Sequence, residues 1–245
     1  MTNRRILRLT GDDARSFLQG LITNDIDKID SGLVYAALLT PQGKYIADFF
    51  VAAAEGDIIL DVAEDLGDML VQRLSMYKLR AAVSIEPTNL HLHRGLGPLP
   101  EDGHPDPRDP NLGWRAYRDA PQQDDTVDWE ALYVDHMIPQ TGVELTPDSF
   151  ILEMGFERMN GVDFRKGCYV GQEVTARMKH KTELRKGLAQ VLVEGAAPVG
   201  TEISASGKAA GTLLTQAGGK ALAYLRFDRA KGEMAAGDAI VRNVD

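Results

Sequence analysis

Strand-like and helix-like hydrophobic patterns alternate along the N-terminal part of the chain. Runs whose length and β-branched or aromatic content favour strands occupy residues 5–11, 33–40, 45–54, 58–63 and 81–87. Between them, residues 12–22 and 64–79 repeat apolar side chains at spacings of three and four, which predicts two helices. Asp12 or Asp13 is the predicted N-cap of the first helix. Strands with helices packed against them indicate an α+β region.

Prolines interrupt this pattern between about residues 94 and 125. The stretch GLGPLPEDGHPDPRDPNLG holds five of the eleven prolines, so we expect a long irregular connection there. A helical spacing returns over residues 129–137, where Trp129, Leu132 and Tyr133 form an apolar stripe. The connection would therefore lie between the strand-and-helix pattern before it and this helix.

The C-terminal part of the chain has a different texture. From about residue 187 onward, glycines at nearly regular spacing separate short strand-like segments such as KGLAQVLVEG and GKALAYLRFD. This pattern is typical of a small antiparallel barrel or sandwich. We therefore expect an α+β region over residues 1–186 and a C-terminal β-barrel domain over residues 187–245.

Composition narrows the location and the partners. The chain has 245 residues and a formal net charge of −9, which argues against a surface devoted to nucleic acid, because phosphate binding needs a positive field. It has no apolar run of about 18 residues, and its single cysteine suits a reducing compartment. The N-terminal residues resemble neither a signal peptide nor a transit peptide. We therefore expect a cytoplasmic protein with no membrane partner.

One segment departs from the acidic average. Residues 165–186 carry seven cations against two carboxylates, a local charge of +5. The cations are Arg165, Lys166, Arg177, Lys179, Lys181, Arg185 and Lys186, and the carboxylates are Glu173 and Glu183. Such a segment suits a small polyanion or an acidic partner face, and a solvated helix face is the alternative.

The only cysteine, Cys168, lies near the head of this segment. Gly167 and Gly171 permit backbone conformations that other residues avoid, which predicts a tight loop followed by a helix from about Gln172. A helix N-terminus and neighbouring cations favour a thiolate, so Cys168 is a candidate reactive thiol or transient ligand. The alternative is a small buried apolar residue. The five histidines show no metal-ligand spacing with Cys168, so we expect no autonomous zinc site.

The segment NGVDFRKGCYVGQEVTARMKH resembles the signature of the YgfZ family of folate-binding proteins, K-G-C-aromatic-x-G-Q-E. The matching positions are Lys166, Gly167, Cys168, Tyr169, Gly171, Gln172 and Glu173. Further blocks resemble the family in the same order, namely FLQGLITNDI, LLTPQGKYIADFF, QRLSMYKLRAAVSIEP and DPRDPNLGWRAY. The stretches MNGVDF and MYKLR resemble the mitochondrial branch of the family, which assists late iron–sulfur cluster assembly. The resemblance thus extends over most of the chain.

The YgfZ family is similar to the T-protein of the glycine cleavage system, an aminomethyltransferase that uses tetrahydrofolate. This relation implies a T-protein-like ring of two ferredoxin-like α+β lobes plus a C-terminal β-barrel, with tetrahydrofolate or another folate in the central opening. Asp48, Glu153 and Arg177 are the candidate folate contacts, because carboxylates suit the pterin donors and a cation suits the glutamate tail. T-proteins carry two adjacent acidic residues where this chain has Ala47 and Asp48, which weighs against aminomethyl transfer.

The resemblance implies a tetrahydrofolate-binding accessory protein for iron–sulfur cluster assembly or repair, which indirectly supports tRNA-modifying iron–sulfur enzymes. Cys168 would ligate iron transiently or form a mixed disulfide, with assembly proteins or client enzymes as partners. A folate-dependent aminomethyl or one-carbon transferase is the first alternative. A direct tRNA-binding factor, suggested by the basic segment, is the second, although Tyr169 is the only Phe, Trp or Tyr in that segment.

Overall fold

The computed structural model describes residues 3–180 and 184–244 of the chain. The chain divides into two compact units, each built from two separate stretches of sequence. The first unit comprises Met1–Val127 and Glu157–Val174, and the second comprises Asp128–Phe156 and Thr175–Asp245. Each unit is therefore discontinuous in sequence.

The larger sheet of the first unit contains five antiparallel strands. They are β1 (Arg4–Thr10), β2 (Val34–Leu39), β3 (Tyr45–Ala54), β4 (Asp57–Ala63) and β5 (Ser84–Pro87), in the spatial order β2-β3-β4-β1-β5. The connections include the helices α1 (Ala14–Gln19) and α2 (Glu64–Lys78) and a 3-10 helix (Ile26–Asp30). The strands and helices predicted for this part of the chain are confirmed. If the edge strand β2 is set aside, their order is the βαββαβ connectivity of a ferredoxin-like lobe.

Helix α1 is shorter than the predicted segment 12–22. Asp13 is its N-cap residue, but the Asp13 carboxylate accepts no hydrogen bond from the helix. It accepts instead from the backbone N–H of Ala82 at 2.8 Å. The start of α1 is therefore tied to the segment that leads into β5.

The two faces of the larger sheet differ in chemistry, because successive side chains of a strand point to opposite faces. One face packs against α1 and α2 through an apolar core. The strand residues in that core include Leu7, Leu9, Val34, Ala36, Leu38, Phe49, Val51, Leu60 and Val62. The opposite face carries Arg4, Tyr35, Asp48, Phe50 and Asp61, of which all but the partly buried Arg4 are buried. The sheet therefore buries ionisable groups on this second face, which we call the polar face.

The proline-rich stretch is more regular than the irregular connection expected over residues 94–125. Three short strands form a sheet there in the order β6-β8-β7. The strands are β6 (His91–Gly95), β7 (His104–Pro105) and β8 (Trp114–Arg118), and a 3-10 helix spans Pro110–Leu112. Pro105 lies on an edge strand and Pro110 in the first turn of the 3-10 helix, two places where the missing N–H costs no regular hydrogen bond. Proline content is therefore a poor guide to irregularity in this segment.

The second unit is built around a closed six-stranded barrel. Its strands are β9 (Lys186–Glu194), β10 (Glu202–Ala205), β11 (Lys208–Ala217), β12 (Lys220–Arg226), β13 (Met234–Ala236) and β14 (Ala239–Asn243). Their order is β10-β11-β12-β9-β14-β13, and β10 pairs with β13 to close the barrel. The predicted barrel is confirmed, although the three-residue strand β13 did not stand out in the sequence.

Two helices follow the predicted spacing outside the barrel strands. Helix α3 (Trp129–Asp135) begins after Asp128, whose side chain accepts from the Ala131 N–H at 3.0 Å. Within the second unit, α3 packs against β11 and β12. Helix α4 (Gln172–His180) begins in the first unit and ends in the second.

Candidate functional site

Cys168 lies on an exposed loop of the first unit. We call residues 160–171 the Cys168 loop, which ends where α4 begins at Gln172. The Cys168 thiol is free and exposed, so its interpretation as a small buried apolar residue is wrong. Lys166 and Tyr169 on either side are buried. The loop therefore presents the thiol to solvent while its flanking side chains pack inside the unit.

Lys166 holds the Cys168 loop from inside the protein. Its ammonium donates to three backbone carbonyl oxygens, which use all of its N–H donors. The acceptors are Gln19 at 2.8 Å, Ile22 at 2.6 Å and Asn24 at 2.9 Å, in a segment, residues 19–24, that we call the acceptor turn. Burial lowers the pKa of Lys166 to about 8. Lys166 is therefore an internal anchor of the loop.

The acceptor turn meets the Cys168 loop a second time through polar side chains. Thr23 Oγ1 donates to the Gly161 carbonyl at 2.7 Å, and Asn24 Nδ2 donates to the Asn160 carbonyl at 2.6 Å. The Asp163 N–H in turn donates to the Thr23 carbonyl at 3.0 Å. Thr23 and Asn24 are both buried. The base of the loop is thus held by bonds that do not involve its exposed side chains.

Asp163 places a charge at the base of the loop. Its Oδ1 accepts from the Arg165 N–H at 2.7 Å, and its Oδ2 lies 2.7 Å from the Lys28 ammonium. The hydrogen bond from Lys28 lowers the pKa of Asp163, although partial burial opposes this effect. The Arg165 side chain is 92% exposed. A cation therefore stands in solvent close along the chain to Cys168.

The far end of the loop approaches the turn between β2 and β3. Gly171 has a φ of 84°, and a Cβ on it would lie 2.6 Å from the Thr40 carbonyl oxygen. Gly43 has a φ of 74°, and a Cβ on it would lie 2.8 Å from the Val174 Cβ. Both positions require glycine. Gly167 differs from the expectation, because it has no positive φ and open space surrounds the place of a Cβ.

Asp48, a predicted folate contact, is buried on the polar face of the larger sheet. Its Oδ2 accepts from the Tyr35 hydroxyl at 3.0 Å, and its Oδ1 accepts from the Tyr45 hydroxyl at 2.6 Å. Burial and the nearby Asp48 charge raise the pKa of Tyr35, which keeps this hydroxyl a donor. Both oxygens of Asp48 therefore already accept hydrogen bonds within the protein.

Glu153 and Arg177, the other two predicted folate contacts, belong to the second unit, whereas Asp48 belongs to the first. The Glu153 Oε2 accepts from the Tyr224 hydroxyl at 2.6 Å and lies 3.7 Å from the Lys186 ammonium. Burial and this hydrogen bond raise the pKa of Tyr224. Glu153 is 8% exposed, and Arg177 is exposed on α4. The structure thus gives Glu153 a tyrosine and a lysine as partners.

The basic segment 165–186 is not one uniform surface. Arg165 and Lys166 belong to the first unit, whereas Arg177, Lys179, Arg185 and Lys186 belong to the second. Lys166 is buried, and Lys181 and Glu183 lie outside the described residues. The local charge of +5 therefore overstates the exposed positive charge, because at least one cation points inward.

Sequence reasoning missed a group of buried charges on the polar face. We call Arg4, Asp61, Asp106, Arg108 and Arg115 the buried ion cluster. Asp61 accepts from Arg4 Nε and from an Arg115 terminal nitrogen, each at 2.5 Å, and from the Tyr117 hydroxyl at 3.1 Å. Burial favours the neutral form of Asp61, but the charges of Arg4 and Arg115 outweigh it and lower the Asp61 pKa. Asp61 is therefore held as a carboxylate between two guanidinium groups.

The other members of the buried ion cluster, Asp106, Arg108 and Arg115, come from the proline-rich part of the chain within residues 94–125. Arg108 makes two hydrogen bonds to the Asp106 carboxylate, at 3.0 and 2.8 Å. The Arg108 guanidinium also lies 4.8 Å from the centroid of the Phe50 ring. The only sequence signal was the motif DPRDP, whose charges alternate with prolines. That signal gives no hint of the distant strand that the charges contact.

Across residues 3–180 and 184–244, no three His, Cys, Asp or Glu side chains are arranged to hold a metal ion. Cys168 therefore offers one ligand rather than a complete set from this part of the chain. No helix among the same residues has the length and apolar character needed to cross a membrane.

Comparison with known proteins gives relatives for the barrel and for the whole chain. The family model described as the CAF17 C-terminal β-barrel domain matches residues 185–244, which contain all six barrel strands. The mouse protein "Iron-sulfur cluster assembly factor IBA57, mitochondrial" is 31% identical over 281 aligned residues, with 96% of this chain and 78% of that protein covered. The IBA57 homologue of Neurospora crassa is 30% identical, with 84% and 56% covered. That of Mycosarcoma maydis is 33% identical, with 75% and 54% covered.

A solved structure shares the fold. The glycine cleavage system aminomethyltransferase T from Bartonella henselae superposes with a TM-score of 0.74 at 11% sequence identity, with 98% of this chain and 82% of that chain covered. A likeness at this identity establishes the fold alone. The predicted T-protein-like fold, with α+β content and a C-terminal β-barrel, is confirmed.

The location predicted from the sequence is wrong. The relatives from mouse, N. crassa and M. maydis are all named as mitochondrial proteins, which contradicts a cytoplasmic location.

Proposed function

The chain belongs to the IBA57 family of iron–sulfur cluster assembly factors, and from this premise we propose that it assists cluster assembly or repair and that Cys168 contributes one thiolate to the process. The observation that carries the proposal is the free, exposed Cys168 thiol on a loop that Lys166 anchors. An anchored loop suits a ligand-donating role. The loop is ordered when the protein folds, so ligand binding does not carry the entropy cost of ordering it.

The chemistry of a lone thiolate defines what the protein needs from others. Iron–sulfur clusters take about four protein ligands, so Cys168 supplies one and partner proteins or a small thiol supply the rest. Ligation sends the thiol proton to solvent and changes no oxidation state. The partners implied are therefore proteins that carry a cluster or receive one, rather than free metal.

The test replaces Cys168 in cells that lack their own factor of this family. We expect Cys168→Ser to lose most of the activity of iron–sulfur enzymes at an unchanged protein level, because a serine hydroxyl is not ionised at neutral pH. A control adds Ser31→Cys, which places one thiol at another exposed position of the first unit. Full activity of Cys168→Ser would overturn the proposal. If Ser31→Cys restored activity to the Cys168→Ser variant, any accessible thiol of the first unit would be sufficient and the position of Cys168 would not matter.

We also propose that the chain binds tetrahydrofolate or another folate, with Glu153 as the principal pterin contact. The Glu153 Oε2 accepts from Tyr224, whereas its Oε1 accepts from none of the residues that the structure describes. Glu153 is largely buried, so this oxygen is an acceptor that a ligand donor would satisfy well. A reduced pterin carries neighbouring N–H donors that pair with a carboxylate. Arg177, exposed on α4, is the candidate for the anionic glutamate tail.

Asp48 fits the folate role less well than Glu153. Both of its oxygens accept from tyrosine hydroxyls, so a ligand donor would have to displace one of them or share an oxygen. We therefore propose that Asp48 shapes the polar face by fixing Tyr35 and Tyr45, and that any contact with folate through Asp48 is secondary.

Calorimetry under anaerobic reducing conditions tests the folate proposal. Tetrahydrofolate and a folate polyglutamate are titrated into wild type, Glu153→Gln, Asp48→Asn and Cys168→Ser. We expect Glu153→Gln to weaken binding by about tenfold or more, which corresponds to the loss of one charged hydrogen bond. Glu194→Gln, an exposed carboxylate of the same unit, is the matched control and should bind like wild type. No binding by folded wild type would overturn the folate proposal and leave the Cys168 proposal standing.

The finer family placement also remains a proposal. The K-G-C segment supports grouping the chain with the YgfZ proteins, and we propose that it supports tRNA-modifying iron–sulfur enzymes indirectly. A fall in tRNA modification together with other iron–sulfur activities would support the indirect route. Salt-sensitive binding of tRNA to the purified protein would favour direct contact instead. Turnover of an aminomethyl donor at saturating tetrahydrofolate would assign a transferase.

A further inference from the structure

The end of helix α2 exposes two large apolar side chains. Met76 is 63% exposed and Leu79 is 90% exposed, the highest value for a large apolar side chain among the described residues. The other face of the helix is packed, since Leu70 and Leu74 are fully buried in the apolar core. Met76 and Leu79 therefore contribute nothing to that core. They lie three residues apart at the same end of α2, so this end of the helix is a candidate interaction surface.

The backbone of Leu79 has a positive φ, which is a second and independent unusual feature of this position. Residues 78–81 form a turn closed by a hydrogen bond from the Ala81 N–H to the Lys78 carbonyl at 2.7 Å. Leu79 is the second residue of this turn, with φ of 43° and ψ of −99°. These angles resemble the first central position of a type II′ turn, which glycine dominates because a Cβ is strained there. Leu79 therefore occupies a turn position that favours glycine, and its side chain is not buried.

The same surface carries positive charge that forms no ion pair with the part of the chain that the structure describes. Arg73 and Arg80 are exposed and Lys78 is partly exposed. None of the three forms an ion pair within the described residues, whereas the carboxylates at the other end of α2, Glu64 and Asp68, both pair with Arg5. The helix dipole favours cations near a helix C-terminus, which accounts for Lys78. It does not account for the exposed leucine between two cations.

We propose that Arg73, Met76, Lys78, Leu79 and Arg80 form a docking surface for an acidic protein partner with an apolar pocket, and we call these residues the α2-end patch. Leu79 is the anchor that enters the pocket, and the unpaired cations face carboxylates around its rim. We choose an acidic partner because Arg73, Lys78 and Arg80 form no ion pair with other described residues, so carboxylates of a partner would complement their charge. The patch offers two apolar side chains, too few to hold a membrane surface, and no exposed aromatic ring on which a nucleic-acid base could stack. The proposal goes beyond the proposed function and does not depend on Cys168 or on folate.

The first test measures stability. Leu79→Gly should raise the midpoint of thermal unfolding, since it removes a strained side chain that packs against nothing. Leu99→Gly, at an exposed leucine of the same unit, is the matched control and should lower the midpoint or leave it unchanged, because Leu99 has no positive φ. A lower midpoint for Leu79→Gly would show that Leu79 serves the fold, which would overturn the proposal.

The second test measures recognition by the full-length protein. A displayed library of random peptides is selected on wild type after removal of peptides that bind Leu79→Gly. We expect the recovered peptides to be acidic with one large apolar residue, and Leu79→Gly and Arg80→Glu each to weaken binding of the synthesised peptides by about tenfold or more. Leu99→Ala should bind them like wild type.

Other occupants of the patch give different and distinguishable results. Recovery of no peptides, or of neutral or basic peptides, would overturn the proposal. Binding of anionic phospholipid vesicles or of poly(U) RNA that Leu79→Gly abolishes would assign the patch to a membrane or to nucleic acid. Concentration-dependent dimerisation that Leu79→Gly abolishes would assign it to a second copy of this chain. Each of these three results would also overturn the acidic-partner proposal.

Discussion

Two of the places where the first unit buries charge stabilise it in opposite ways. At the base of the Cys168 loop, the Lys166 ammonium faces neutral carbonyl oxygens of the acceptor turn. In the buried ion cluster, the Asp61 carboxylate faces two guanidinium groups. Both groups have a lowered pKa. For Lys166 the shift favours the neutral amine, whereas for Asp61 it favours the charged carboxylate. Burial therefore opposes the charge at Lys166 and is overcome at Asp61.

The comparison shows what each arrangement is suited to do. Opposite charges in a dry site depend on each other, because removal of one leaves the other buried and unpaired. Carbonyl oxygens lose less when the ammonium is removed, since each then lacks one hydrogen bond rather than a counter-charge. The ion cluster thus fixes the fold of the unit, and the Lys166 anchor fixes one loop within it.

The largest expected effect comes from breaking the ion cluster. Asp61→Ala should lower the free energy of unfolding by about 3–5 kcal/mol, because it removes the buried carboxylate that lies between Arg4 and Arg115 and leaves Arg115 only its 3.6 Å contact with Asp106. Denaturant titration followed by circular dichroism measures this loss. Asp57→Ala on the same strand removes a partly exposed pair with Arg8 and should cost about 0–1 kcal/mol. Similar losses for the two variants would contradict the role assigned to the cluster.

The next largest effect comes from removing the anchor. Lys166→Met should cost about 1–3 kcal/mol, because three carbonyls lose a donor. Hydrogen exchange should quicken at the amides of the Cys168 loop and remain unchanged in the apolar core of the larger sheet. Lys166→Arg should not restore protection, since a planar guanidinium does not fit three converging acceptors. Lys28→Met, at a half-exposed lysine beside the loop, is the control and should have a smaller effect.

A smaller effect should appear in the pH dependence of stability. Lys166 has a pKa of about 8 in the folded chain against 10.5 ordinarily, so the unfolded chain binds more protons between these values. The free energy of unfolding contributed by this group therefore rises as pH increases from about 8 to 10.5. Wild type should gain stability relative to Lys166→Met across this interval in parallel denaturant titrations. If wild type instead lost stability relative to Lys166→Met across this interval, the hydrogen bonds to the carbonyls would outweigh burial and favour the charged form of Lys166. Lys166 would then resemble Asp61, whose charged form is favoured despite burial.

The smallest effect is expected at Gly167. Gly167→Ala should change the free energy of unfolding by less than about 0.5 kcal/mol, as for a surface change away from special features, because its backbone and surroundings admit a Cβ. Gly171→Ala, by contrast, should be strongly destabilising. If Gly167→Ala leaves stability unchanged but abolishes support of iron–sulfur enzymes, a partner approaches the backbone beside Cys168.

Local patterns in the sequence predict most helices and strands. They do not predict the contacts between side chains that lie far apart along the chain. The strands of the larger sheet and the barrel followed from alternation and glycine spacing, which depend on neighbouring residues. The sequence predicts Lys166 as part of an exposed positive segment, because nothing near it in sequence reveals carbonyl acceptors more than 140 residues away. Asp61 was passed over for the same reason, as Arg115 lies 54 residues from it. The exposure of Cys168 likewise depends on packing that its neighbours do not encode.

The distance along the chain between Lys166 and its acceptors also sets an order of events during synthesis. The carbonyls of Gln19, Ile22 and Asn24 emerge 147, 144 and 142 residues before the lysine that they bind. At a translation rate of about 5–20 residues per second, these oxygens spend roughly 7–30 seconds hydrogen-bonded to water. The ribosome completes the first stretch of the second unit, residues 128–156, in the meantime. The Cys168 loop is therefore among the last parts of the first unit to be made, and its thiol reaches its fixed position only after nearly all of that unit has left the ribosome.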